Sequence, residues 1–122
     1  DESLALSLTN TRITCDCSQT PSVFVGIETT VVADLDASVA VPITFDVLSV
    51  WNHDGERVGR FTVSPAEGMA LPGVTAFDLV DEEILEAGEL CTVLQVRLVD
   101  LIGTADGTDY QLHGVNPQLG CL

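Results

Sequence analysis

A chain of 122 residues, 46% of them hydrophobic, suffices for one domain with its own core and not for two. That apolar content is mostly Val, Leu, Ile and Ala with few aromatics, which excludes a disordered acidic chain and favours strands over helices. Nineteen Asp and Glu against four Arg and no Lys give a formal net charge of −15, so a phosphate backbone would be repelled and nucleic acid is excluded as a partner.

Anionic membrane surfaces are disfavoured by the same charge, and no run of about 18 apolar residues suggests membrane insertion. The chain opens Asp1-Glu2-Ser3 with neither an initiator Met nor a positive n-region, and reads as a mature product after signal removal. The expected location is extracellular or at the cell surface. High salt or an acidic medium would screen or neutralise the charge, and a solvated acidic surface on an apolar domain keeps it soluble.

Ser3 to Thr9 alternates with a period of two: Leu4, Leu6 and Leu8 on one face, Ser3, Ala5, Ser7 and Thr9 on the other. A short segment from Arg12 to Cys17 follows, then a loop at Ser18-Gln19-Thr20-Pro21-Ser22. Val23 to Leu35 is a long β-branched run in which Gly26 marks a bulge. After a turn at Asp34 to Ser38, Val39 to Trp51 forms one strand or a pair, with Pro42 at an edge, bulge or break because it cannot donate to a ladder.

Asn52-His53-Asp54-Gly55 is the strongest hairpin signal, since Asp-Gly supplies the positive φ of a tight reversal. Arg57 to Ser64 returns as its partner. Pro65 to Pro72 reads as a loop and Val74 to Val80 as a strand, and Asp81 to Gly88 as one helical turn or an acidic loop. From Leu90 to Ile102, Leu94, Val96 and Leu98 face one way, and Val93, Gln95, Arg97 and Val99 the other. Gly103 to Asp109 is a second turn cluster, Tyr110 to Val115 the last strand, and Asn116-Pro117 its end. About seven to nine strands without an amphipathic helix predict an all-β, immunoglobulin-like β-sandwich, with a jelly roll or small barrel as the alternative.

Cys15, Cys17, Cys91 and Cys121 form an even set, which predicts two disulfides and an oxidising compartment. Cys15 and Cys17 share a strand face, an awkward geometry for bonding each other, so each is expected to pair with one of Cys91 and Cys121. A bridge to Cys91 would close a loop worth about 4–5 kcal/mol. The spacing does not match the paired Cys-x-x-Cys knuckles of structural zinc.

Nucleophile-elbow and His-Glu-x-x-His motifs are absent, and no catalytic residue is assigned; His53 sits in a hairpin tip and His113 in the last strand. No cofactor is expected apart from calcium, whose ligand chemistry the acidic turns Asp34/Asp36 and Asp106/Asp109 offer, although Asp also builds turns through its own side chain.

The first strand carries the sharpest functional idea. Residues 1–9 can pair within the 10–122 body, or insert into a neighbouring subunit as a donor strand. Burying Leu4, Leu6 and Leu8 would contribute roughly 5–9 kcal/mol before ordering costs. A head-to-tail contact of this kind propagates into a filament. With its leading LALSL strand, β-rich body, cysteine staples and no type IV pilin helix, the chain resembles donor-strand-complemented pilins and biofilm-matrix fibre subunits. It departs from chaperone–usher pilins at its end, Gly120-Cys121-Leu122, where those keep an aromatic residue. The resemblance implies a homopolymer in which Leu4, Leu6 and Leu8 dock in the next copy. The alternative is a monomeric cell-surface adhesion or ligand-binding domain, stabilised by calcium.

Overall fold

The computed structural model describes residues 3–91 and 96–122. It is all-β: β1 (Ser3–Asp16), β2 (Val23–Asp36), β3 (Val41–Thr44), β4 (Val47–Asn52), β5 (Arg57–Ser64), β6 (Glu67–Ala70), β7 (Gly73–Ala87), β8 (Val96–Ala105), β9 (Thr108–Val115) and β10 (Gln118–Cys121). The strands form one hydrogen-bonded sheet in the order β10-β1-β2-β7-β5-β4-β8-β3-β6, with β9 added beside β8.

This single sheet folds over because β7 is long enough to serve two partners. Its first half pairs with β2 as far as Glu28↔Val80, and its second half pairs with β5 from Ser64↔Val80 onward. Where the two ladders part, the Asp81 carboxylate accepts a hydrogen bond from the Ile27 N–H at 2.9 Å, replacing the lost backbone acceptor. Inward residues of β1, β2 and β7 (Ile13, Ile27, Val31, Leu79) then meet those of β4, β5 and β8 (Leu48, Val50, Phe61, Val99, Leu101) in one core, as in a sandwich. Phe24 and Phe61 cross the layers with ring centroids 4.8 Å apart. A second, smaller cluster of Ala33, Leu35, Val41 and Ala70 lies at one end, covered by Leu4, Leu6, Ala37 and Phe77.

Two disulfides staple the fold, Cys15–Cys91 and Cys17–Cys121. The hairpin predicted at Asp54-Gly55 is present, and the turn cluster expected from Gly103 to Asp109 narrows to Asp106-Gly107, because β8 runs to Ala105 and β9 starts at Thr108. Gly55 has φ 78°, and Asp106 and Gly107 have φ 51° and 79°, the paired positive angles of a type I′ reversal. In the first turn the buried Asn52 side-chain oxygen accepts from the N–H groups of Asp54 and Glu56, both at 2.9 Å. Replacing it by Ala strands two donors, so Asn52→Ala is expected to lower unfolding free energy by about 1–3 kcal/mol in a urea titration.

Three sequence expectations are corrected. Asp81 to Ala87 is neither a helical turn nor a loop but the second half of β7, its backbone held by β5. The stretch read as a loop, Pro65 to Pro72, contains β6, which pairs with β3 through Val41↔Ala70 and Ile43↔Gly68. Leu90 and Cys91 are buried in a turn rather than opening the strand, and β8 is described from Val96 to Ala105. The expected facing of Val93, Leu94 and Gln95 falls outside the described residues, as do Asp1 and Glu2.

Candidate assembly edge

β1 is two strands in one. Leu8 is buried, Thr9 and Asn10 are both exposed, and Thr11, Ile13 and Cys15 are buried. One extra residue therefore inverts the facing rule, as a bulge does. The ladder to β2 runs in register from Ser3↔Asp36 to Thr9↔Thr30 and resumes, shifted, at Arg12↔Glu28. Asn10 takes φ 53°, a left-handed conformation that Asn tolerates better than most residues. The Thr29 hydroxyl donates to the Thr9 carbonyl at 3.1 Å and lies 2.8 Å from the Thr11 hydroxyl, so a side chain satisfies the Thr9 carbonyl where the ladder is interrupted.

The two halves are held very differently. Residues 12–15 pair with β2 on one side and, in parallel, with β10 on the other, and both disulfides anchor at Cys15 and Cys17. Among the described residues, the 3–9 arm pairs with β2 alone. β9 packs near the arm but, among the described residues, pairs with β8 and not with it. There Gly114 comes so close to Leu8 that an added Cβ would stand 3.1 Å from Leu8 Cδ2. Of the donor-strand leucines, Leu8 is buried in the main core, while Leu4 and Leu6 are half-buried over the satellite cluster. Within this chain the arm is thus paired in cis.

Charge adds a feature that the linear sequence hides. Residues 3–15 and 110–122 contain no Asp or Glu, although the chain has nineteen. These two segments supply β1 up to Cys15, most of β9 and all of β10, which are neighbours in the fold. Along these strands carboxylates stand only at Asp16, the end of β1, and Asp109, near the start of β9, and the edge carries Arg12, His113 and the exposed Val115 and Leu122. A groove of about 620 Å³ opens at the bulge, lined by Asn10, Thr11, Arg12, Thr30, Asp78 and Gln118 among others.

The remaining candidates are placed as follows. Asp34 and Asp36 are exposed at the end of β2, and Asp106 and Asp109 are exposed in the β8–β9 hairpin. Among the described residues no group of three or more His, Cys, Asp or Glu side chains is arranged to hold a metal ion. His53 is exposed at its hairpin tip. His113 Nδ1 lies 2.6 Å from Asp100 Oδ1, and Gln111 donates to the other Asp100 oxygen at 3.4 Å. Asp100 is buried on the outer face of β8, and its cross-strand neighbour on β4, Ser49, makes no hydrogen bond to His113 among the described residues. The His113–Asp100 pair was invisible in the sequence because it depends on the β8–β9 register.

Comparison with protein-family models finds no match, and comparison with curated proteins finds no significant relative.

Proposed function

We propose that this chain is a structural subunit of an extracellular filament or layer, joined to copies of itself through residues 3–9. The observation that carries this reading is the convergence of both acid-free segments on one edge, where the arm keeps a free backbone ladder. Two bodies of net charge −15 repel wherever their acidic faces meet. An edge with few carboxylates is the surface on which they approach at least cost, and open strand edges are natural sites for pairing. The two disulfides support an oxidising compartment and a body that survives outside the cell.

Repulsion between the acidic faces is long-ranged and screened by salt, whereas strand pairing and apolar burial are short-ranged. Light scattering of the intact chain is therefore expected to show oligomers that grow as ionic strength rises. A monodisperse monomer at every ionic strength would contradict the reading. It would favour instead a monomeric binding domain using the polar groove at the bulge, a concave feature suited to a small polar ligand.

A further inference from the structure

Resting on the assembly reading above, we infer that Asn10–Thr11 is a hinge about which the 3–9 arm exchanges between copies, and that the acceptor groove is the satellite cluster of Ala33, Leu35, Val41 and Ala70. Four observations converge on it. The bulge separates two registers, so the arm can leave β2 without disturbing the ladder at Arg12 to Asp16. The β10 ladder and both disulfides lie beyond the bulge, which leaves the arm held by its β2 ladder and its leucines. Leu4 packs on a cluster distinct from the main core, Leu6 touches both clusters and Leu8 sits in the main core, so withdrawing the arm uncovers the satellite groove together with the Leu8 seat beside it. At Asn10 the chain already holds a left-handed φ in a position exposed to solvent, where a change of direction meets no packed neighbour.

The occupant follows from the groove itself. The arm of a second copy presents the same leucines at the same spacing, and it can take the same ladder from Ser3↔Asp36 to Thr9↔Thr30. Charge favours it over other strands of this chain. The seat carries Asp34 and Asp36 opposite Ala5 and Ser3, and the arm's residues 3–9 bring no carboxylate against them. Exchange exposes no new surface in the assembled state, because each copy's groove is refilled by an identical strand. Whether copies close into a pair or propagate depends on the direction the chain takes at the hinge.

The test uses cross-strand partners on the outward face. Ser7 and Val32 stand opposite each other in the β1–β2 ladder. Chains carrying Ser7→Cys and chains carrying Val32→Cys are allowed to assemble together and then oxidised, and covalent dimers are read on a denaturing, non-reducing gel. Exchange predicts a Ser7→Cys/Val32→Cys dimer at least about tenfold above a control mixture of Ser7→Cys with Asp54→Cys, because only the first pair is held at high effective concentration. Oligomers by light scattering with no excess of that dimer overturn the hinge and leave the assembly reading standing. Neither oligomers nor the dimer overturns both.

Discussion

Reduction of both disulfides is expected to unfold the domain under conditions where the oxidised chain is stable. In the chain-entropy model a single bridge across the 76-residue separation of Cys15 and Cys91, or the 104-residue separation of Cys17 and Cys121, contributes about 4–5 kcal/mol. The two share an anchor, since Cys15 and Cys17 are neighbours. With either one intact, the other closes only the shorter circuit from Cys91 to Cys121, so removing one alone is worth about 3–4 kcal/mol. Removing both is worth about 8 kcal/mol, comparable to the whole stability of a typical domain. Urea titrations followed by circular dichroism should therefore show similar losses for Cys15→Ala/Cys91→Ala and Cys17→Ala/Cys121→Ala, and an unfolded chain when all four are replaced. Unequal single losses that track the full 76- and 104-residue separations would show that the bridges act independently.

The second large effect is expected at Gly103. This buried glycine of β8 lies under the β3 backbone, and a Cβ there would overlap the Thr44 carbonyl oxygen and stand 2.6 Å from the Tyr110 hydroxyl. The obstacle is backbone, which cannot move aside as a flexible side chain can. The Tyr110 hydroxyl also donates to that same Thr44 carbonyl at 2.6 Å, and Thr44 Oγ1 accepts from the Thr104 N–H at 2.8 Å. Gly103→Ala combines overpacking with the loss of a hydrogen bond and is expected to lower stability by about 3–4 kcal/mol. Gly120→Ala, where nothing lies within 4 Å of the new Cβ, is the control and should change stability by less than about 1 kcal/mol.

The same contact sets an alkaline limit. Burial, then the Asp46 carboxylate, pushes the Tyr110 phenol above its ordinary range and keeps it a hydrogen-bond donor. Its folded value exceeds the unfolded one, so its contribution is complete below the ordinary tyrosine range and is lost as pH rises through and above it. Asp16 behaves oppositely. Hydrogen bonds from the Ser18 hydroxyl, then the Gln19 side chain and the Ser18 N–H, hold its carboxyl below the usual range. The turn beside Cys17 is accordingly firm at neutral pH and loosens only in acid.

What the sequence made legible follows from where alternation and turn chemistry are strong. The alternation of the leucines at 4, 6 and 8, the Asp54-Gly55 reversal and the set of cysteine partners rest on rules that tertiary context did not override. Asp81 to Ala87 escaped because most of this strand is exposed on both faces, and a strand with no buried face shows no alternation. β6 escaped because a Gly-containing four-residue edge strand is shaped by its partner β3 rather than by its own propensity. The bulge at Asn10 was hidden between two well-formed half-strands, although the change of phase from Leu8 to Thr11 and Ile13 is its trace. The acid-poor edge needed topology: residues 3–15 and 110–122 are far apart in the chain, and only the β1–β10 pairing and the approach of β9 join them.

The central claim, that residues 3–9 join copies of this chain, is tested most directly by electron microscopy of the protein with and without residues 1–9. Filaments or layers from the intact chain, absent from the truncated one and absent again when the truncated chain is supplied with a free peptide of residues 1–9 to fill its groove, are the predicted result. Assemblies that persist without the arm, or an intact chain that stays monomeric under all conditions, would contradict the account.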